Sequence, residues 1–93
     1  MPEIDIDQII KLVEQQQPLR QDVVSALRNC KGGSWDGSGY FRFGNDRNAN
    51  QPGATWQHQE SLVIEQESKG EIVIDLLSDG RIGGIEFIDF IDQ

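Results

Sequence analysis

The sequence predicts an α+β domain in which an N-terminal helical hairpin packs on an antiparallel sheet of about four strands, in the order α-α-β-β-β-β. Three observations support this class: helical spacing of apolar residues over 1–31, a Gly- and Asn-rich segment with one short strand over 32–55, and strand-like residues over 56–93 that form an antiparallel meander. A chain of 93 residues has room for one modest hydrophobic core, so we expect a single domain over 1–93.

Residues 1–31 predict two helices that share one apolar side. Either Asp5 or Asp7 suits the N-cap of the first helix, because a carboxylate there accepts a hydrogen bond from a free backbone N–H. The apolar residues of this helix follow i, i+3, i+4, i+7 spacing: Ile6, Ile9, Ile10 and Val13. Pro18 suits the first turn of the second helix, and Lys31-Gly32-Gly33 is a stop signal. The apolar stripe of the second helix consists of Leu19, Val23, Ala26, Leu27 and Cys30.

The segment 32–55 predicts little regular structure apart from one short strand, Tyr40–Phe43. In that strand the two phenylalanines alternate with Tyr40 and Arg42, so one side is aromatic and apolar. We expect Gly44–Gly53 to be a loop. A long loop in a small domain is more often functional than idle.

Two turn signals set the register of the C-terminal strands. Asp79-Gly80 is typical of a two-residue hairpin turn, and Ser68-Lys69-Gly70 fits a three-residue loop with Gly70 in the left-handed conformation. The pairs predicted by the first turn are Ile74 with Ile85, Ile72 with Phe87, and Asp75 with Gly84. The pairs predicted by the second are Ile64 with Ile74 and Leu62 with Leu76. Both turns predict the same inward face, which consists of Leu62, Ile64, Ile72, Ile74, Leu76, Ile85 and Phe87.

The same register predicts an acidic face on the other side of the sheet. Its residues are Val63, Glu65, Glu67, Glu71, Val73, Asp75, Leu77, Glu86 and Ile88. We expect Glu67 and Glu71 to lie opposite one another, and like charges opposed across strands are destabilising. Two interpretations stay open: a solvated face with ordinary β-forming aliphatic residues, or a docking surface whose partner relieves this repulsion.

Charge restricts the partners and the location that we expect. The chain has a net charge of −8, and nine of its sixteen acidic residues lie within 60–93, where Lys69 and Arg81 are the only basic residues. A negative surface attracts basic proteins and repels nucleic acid and anionic membrane. The chain has no long apolar run and begins with an acidic segment, unlike a secretory signal. The single cysteine, Cys30, excludes an internal disulfide and fits a reducing compartment. We therefore expect a cytoplasmic protein with no membrane or nucleic-acid partner.

The signals for catalysis and for metal binding are weak. His58 and Glu60 would share one side of a strand and could form an acid–base pair, as in a small hydrolase or nuclease. The run that begins at Asp46 resembles the start of a calcium loop, but Gln51 replaces the required Gly and Gln57 replaces the bidentate Glu. No Cys/His cluster has zinc spacing. We expect no enzymatic activity, no metal and no cofactor.

The sequence of the C-terminal strands resembles a pattern that ends other small domains. Residues 70–75 form an aliphatic strand with an Asp, and residues 78–89 contain a D-G-x-I turn followed by G-I-E, two apolar residues and an Asp. This pattern resembles the C-terminal hairpin of a small bacterial domain family of unknown function. In size and acidity the chain is also similar to the immunity proteins and antitoxins of bacterial nuclease toxins. That similarity implies a basic protein partner.

The leading functional hypothesis is a non-enzymatic inhibitor that covers a basic toxin with its acidic face. The residues expected to bind the partner are Glu65, Glu67, Glu71, Asp75 and Glu86, with Trp35 or Trp56 as an aromatic anchor. The alternatives are a stand-alone small bacterial domain whose acidic face only keeps it soluble, and the hydrolase or nuclease using His58 and Glu60. The oligomeric state is a monomer or a dimer, since an exposed edge strand can pair with a second copy.

Overall fold

A computed structural model of the protein describes residues 4–37, 39–43, 52, 57–66 and 70–88. It contains two helices and a five-stranded antiparallel sheet with the strand order β1-β2-β5-β4-β3. The elements are α1 Ile6–Gln16, α2 Gln21–Arg28, β1 Ser34–Trp35, β2 Tyr40–Arg42, β3 His58–Glu65, β4 Glu71–Leu77 and β5 Ile82–Phe87. The α+β class and the order of helices before strands are confirmed, and the number of strands is five instead of four.

The first helix begins where the sequence predicts. Asp5 is the N-cap of α1, and its Oδ1 accepts a hydrogen bond of 3.1 Å from the backbone N–H of Gln8. The residues Ile9, Ile10 and Val13 are buried. This side of α1 therefore packs on the core, as the apolar spacing predicts.

The second helix begins later than predicted. The backbone N–H of Arg20 donates to the carbonyl of Gln17 over 3.0 Å and closes a turn around Pro18 and Leu19, so neither residue belongs to α2. Leu19 is 93% exposed, and its assignment to the apolar stripe is wrong. The buried residues of α2 are Val23, Val24 and Leu27.

The fifth strand is the short β1, which pairs with β2 as an antiparallel hairpin. Ser34 lies opposite Arg42, and Trp35 lies opposite Phe41. Two residues are too few to show the alternation that identifies a strand in a sequence, so β1 gave no signal. The predicted loop Gly44–Gly53 lies almost wholly outside the described residues.

The register of β4 and β5 matches the prediction away from the turn. The observed pairs include Ile72 with Phe87, Ile74 with Ile85, and Asp75 with Gly84. The turn itself is longer than predicted, because the N–H of Leu77 donates to the carbonyl of Arg81 over 2.9 Å and leaves three residues between them. Gly80, the last of the three, has a φ of +89°, and a bulge after Asp75 restores the predicted pairing.

The register of β3 and β4 differs from the prediction by two residues. The backbone N–H of Gln66 donates to the carbonyl of Gly70 over 2.9 Å, so Gly70 flanks the loop instead of closing it, although its φ of +81° is left-handed as predicted. The observed pairs are Leu62 with Ile74, Ile64 with Ile72, and Glu65 with Glu71. Side chains alternate with a period of two, so this shift changes the pairs and preserves both faces.

The helices cover the inward face of the sheet, and the core lies between the two layers. Ile64, Ile72, Ile74 and Ile85 are fully buried, and Leu76 is nearly so. Leu62 and Phe87 are partly buried against the same core. The predicted inward face is therefore confirmed, and the opposite face of the sheet is left uncovered by either helix.

Candidate functional site

The candidate site is the outer face of the sheet, which we define as the side turned away from the helices. Its described polar residues, placed by the strand register, include Tyr40, Arg42, His58, Ser61, Glu65, Glu71, Asp75 and Glu86. Four of the five predicted acidic residues thus share one face, and the fifth, Glu67, lies outside the described residues. Arg42 is the one Lys or Arg residue among the described positions of β2, β3, β4 and β5 on this face.

Glu65 and Glu71 form the most exposed acidic pair of the outer face. They lie directly opposite one another on β3 and β4, which corrects the predicted opposition of Glu67 and Glu71. The next pair along, Gln66 with Gly70, is hydrogen-bonded, so Glu65 and Glu71 occupy a non-hydrogen-bonded position, where opposed side chains approach most closely. Two carboxylates so placed repel each other and lower stability.

Asp75 has a different environment on the same face. Its side chain is only 16% exposed and accepts two hydrogen bonds, one of 2.9 Å from the Tyr40 hydroxyl and one of 2.8 Å from the Ser61 hydroxyl. Burial, and then the charge of Asp75, raises the pKa of the Tyr40 phenol well above its usual range. Asp75 was predicted from the sequence, but the two hydroxyl groups were not, because their approach depends on the pairing of β2 with β5 and of β4 with β5 and β3.

The ring of Tyr40 lies over the backbone of Gly84. A Cβ atom at position 84 would overlap the ring, so only glycine leaves the space that the tyrosine occupies. Tyr40 lies opposite Glu86, so its side chain is also next to that of Glu86. The hydroxyl of Tyr40 thereby reaches across β5 to Asp75 on β4.

His58 belongs to the same polar group. Its Nε2 lies 2.9 Å from the Ser61 Oγ and 3.7 Å from the Asp75 Oδ1. The Asp75 carboxylate contacts the serine and the Nε2 side of the imidazole. In a Ser-His-Asp triad, by contrast, the carboxylate orients the histidine through Nδ1. We therefore interpret these residues as a hydrogen-bonded cluster that holds the half-buried Asp75.

The predicted acid–base pair of His58 and Glu60 is not assembled. A bulge between them places His58 opposite Leu77 and Glu60 opposite Leu76, so the two side chains lie on different faces of the sheet. The Glu60 carboxylate forms an ion pair with the Arg20 guanidinium, which also binds Asp22 over 3.1 Å. This hydrogen bonding to Arg20 lowers the pKa of Asp22.

The aliphatic residues of the outer face differ in exposure. Val63 is 50% exposed, and Val73 and Ile88 are half-buried. Leu77, also predicted to be exposed, is only 2% exposed. Leu77 lies opposite His58 at the end of β4. The N–H of the next residue, Ser78, donates to the Gln57 carbonyl over 2.8 Å, so the start of β3 lies beside Leu77.

Trp35 lies apart from the acidic residues. It is opposite Phe41, whose side chain packs on the core, so Trp35 faces the helix side of the sheet. Its ring meets Phe41 edge-on at 5.4 Å between centroids and Phe87 at 5.7 Å. Trp35 therefore lies on the other side of the sheet from the acidic residues, and its role as an aromatic anchor stays a prediction. Trp56, the other predicted anchor, lies outside the described residues.

The described part of the chain contains neither a group of metal ligands nor a long apolar helix. Within it, no three or more His, Cys, Asp or Glu side chains are grouped so that they could hold a metal ion. Neither described helix has the length and apolar character required to cross a bilayer. In comparisons with known proteins, no family model, no curated protein and no solved structure matched the chain.

Proposed function

We propose that the protein is a non-enzymatic binding module whose outer face binds a basic protein. Its most specific form is a cytoplasmic immunity or antitoxin-type inhibitor that covers the active site of a basic bacterial toxin, such as a nuclease. The observation that carries the proposal is the exposed, directly opposed pair of Glu65 and Glu71. No cofactor takes part in this function.

The Glu65–Glu71 pair favours the binding of a basic partner, because the two carboxylates repel each other in the free protein. A Lys or Arg side chain placed between the two carboxylates would replace that repulsion with two attractive contacts. The strands hold both backbone positions fixed, so the backbone of this face loses little conformational entropy when the partner binds. The pair is therefore better suited to binding than to stabilising the free fold.

The other acidic residues of the outer face contribute through their charge. Both oxygens of Asp75 already accept hydrogen bonds from hydroxyl groups. We therefore expect Asp75 to attract the partner through its negative charge and not through a direct hydrogen bond. Glu86 is half-buried beside Tyr40. Together with a net charge of −8, these groups speed the approach of a basic partner, and added salt slows its association.

Occlusion is the proposed mechanism. A nuclease active site attracts phosphate groups through basic side chains, and carboxylates fixed on a sheet present a comparable negative charge without a bond that can be cleaved. The inhibitor then prevents the entry of nucleic acid by occupying the same surface. This mechanism needs no chemistry from His58 or Ser61.

The test first asks whether an adjacent gene encodes a protein with a basic C-terminal domain, and such a protein then serves as the partner in the binding assay. We compare the affinity of the wild type with that of Glu65→Gln/Glu71→Gln and of the matched control Asp7→Asn/Glu14→Gln, which loses the same charge from exposed positions of α1. We expect the first pair to weaken binding at least tenfold, which is about 1.4 kcal/mol, and the control to change it little. Equal affinities for all three proteins would leave the acidic face with a solubilising role only.

A further inference from the structure

One edge of the sheet presents unpaired backbone groups to the solvent. The two edge strands are β1, with two residues, and β3, with eight. Hydrogen-bonded and non-hydrogen-bonded pairs alternate along an antiparallel ladder. Because Gln66 and Gly70 form a hydrogen-bonded pair, Ser61, Val63 and Glu65 occupy the other positions. Their N–H and C=O groups therefore point away from β4.

The side-chain amide of Gln16 binds this edge in the way that a backbone peptide group would. Its side-chain Nε2 donates to the Glu65 carbonyl over 2.7 Å, and its Oε1 accepts from the Glu65 N–H over 2.8 Å. The amide of Gln16 thus makes the two hydrogen bonds that a neighbouring strand would make. Among the described residues, none makes hydrogen bonds of this kind to the backbone of Ser61 or Val63.

The exposed apolar side chains lie along the same edge. Among the described residues, the large hydrophobic side chains classed as exposed are Leu19, at 93%, and Val63, at 50%. The contacts of Gln16 with Glu65 and of Arg20 with Glu60 hold the turn between the helices alongside β3, and Leu19 belongs to that turn. Leu19 therefore lies on the helix side of the edge and Val63 on the outer side.

Next to the backbone of Glu65, which Gln16 covers, the segment from Ser61 to Ile64 lacks the usual protection of an edge strand. It contains no Lys and no Pro, and the bulge of β3 lies before it, between His58 and Glu60. Such devices prevent unwanted pairing with other chains. An unprotected edge that carries two exposed apolar side chains is suited to the addition of a strand.

We propose that the basic partner adds an extended segment to this edge of β3. The segment bonds through its main chain to Ser61 and Val63, directs a Lys or Arg side chain toward Glu65 and Glu71, and directs an apolar side chain toward Leu19. Charge selects this occupant over a second copy, because two copies would each bring a net charge of −8 to the edge. The inference rests on the proposed function and identifies the partner's docking element.

The test uses a nine-residue peptide of alternating lysine and leucine, because alternation places its cationic and apolar side chains on opposite sides of a strand. The matched probe has the same sequence and charge, with N-methyl groups on the amides of one strand edge. We expect the parent peptide to shift the backbone amide signals of Ser61 and Val63 in the NMR spectrum of the full chain. The methylated peptide should bind at least tenfold more weakly, since it cannot form the ladder.

A protein variant gives a second measurement. Val63→Pro removes a donor that points to the free edge, a position at which strands tolerate proline, and it leaves the charge unchanged. We expect at least a tenfold loss of peptide affinity in this variant. Both peptides are tested on the wild-type protein. Their comparison therefore shows whether a strand is added even if Val63→Pro does not fold.

Three results would overturn the inference. One is equal binding of both peptides, or signal shifts confined to Val73 and Glu86; the acidic face would then bind without strand addition, and the proposed function would stand. The second is no binding of either peptide. The third is a dimer in light scattering that Val63→Pro converts to a monomer, which would assign the edge to a second copy. The proposed function is tested by a different experiment, in which the glutamine variants are compared with the wild type for binding to the adjacent gene product. Equal affinities there would contradict the proposed function.

Discussion

The phenol ring of Tyr40 packs on Gly84 so closely that a methyl group on the glycine would overlap the ring. We expect Gly84→Ala to lower the free energy of unfolding by about 2 kcal/mol, because the fold must move the ring or the central strand. In the Tyr40→Ala background the same substitution should cost much less, since the ring is gone. Urea denaturation of the two single variants and the double variant measures this coupling. Additive effects would contradict the packing described.

Stability should depend on pH through Tyr40. Burial, followed by the charge of Asp75, raises the pKa of the phenol above its ordinary value of about 10. The fold therefore favours the protonated phenol, and this contribution is full below pH 10 and is lost as the pH rises toward the folded-state pKa. We expect Tyr40→Phe to be less stable than the wild type by about 1 kcal/mol at pH 7. The difference should shrink in urea titrations above pH 10, and a constant difference would contradict the assignment.

Removing one carboxylate of the Glu65–Glu71 pair should stabilise the free protein. We expect Glu71→Gln to raise the free energy of unfolding by about 0.5 kcal/mol at low salt, because it abolishes the repulsion across the strands. The gain should decrease in high salt, which screens exposed charges. Glu14→Gln, on the exposed side of α1, serves as the control for the change in net charge. If both variants gain equally, the cause is the net charge and not the pair.

The two hydrogen bonds of Gln16 should contribute to stability and to protection of the edge. We expect Gln16→Ala to lower the free energy of unfolding by about 1 kcal/mol, whereas Gln15→Ala, at the exposed neighbouring position, should have little effect. The amide proton of Glu65 should exchange with solvent faster in the first variant, because it loses its acceptor. Unchanged exchange at Glu65 would show that the Gln16 contact does not persist in solution.

Cys30 should react slowly in the folded protein. Burial raises the pKa of its thiol to about 11, and the Sγ donates to the Ala26 carbonyl over 3.4 Å. Only the thiolate reacts with alkylating reagents, so at pH 8 we expect iodoacetamide to modify the folded protein about a hundredfold more slowly than the urea-unfolded chain. Mass spectrometry of timed samples measures both rates. Similar rates would indicate that the thiol is accessible to solvent.

The parts of the fold that follow from local patterns could be predicted from the sequence. Alternation in β3, β4 and β5 identified both faces, and this result survived a shift of two residues at Gly70 because side chains alternate with the same period. The turn at Asp79-Gly80 was located correctly, although its length was not. Asp5 was identified as one of two candidate caps because capping depends on adjacent residues.

The parts that depend on distant pairing could not be predicted. The contact of Tyr40 with Asp75 requires β2 to join β5 at the centre of the sheet, and no turn signal specifies that pairing. The face of the sheet on which Trp35 lies could not be predicted, because a strand of two residues shows no alternation. Leu19 was assigned to the core because apolar spacing alone does not show that the helix begins after it.

The position of β5 has a consequence for the order of folding. This strand follows the others along the chain and yet lies at the middle of the sheet, between β2 and β4. The β1–β2 hairpin and the β3–β4 hairpin are each built from nearby residues, but they cannot join until β5 enters between them. Contacts so distant in sequence form slowly, because the intervening chain must first be ordered. During synthesis on the ribosome, the two halves of the sheet would therefore stay separate until the codons of residues 82–87 have been translated.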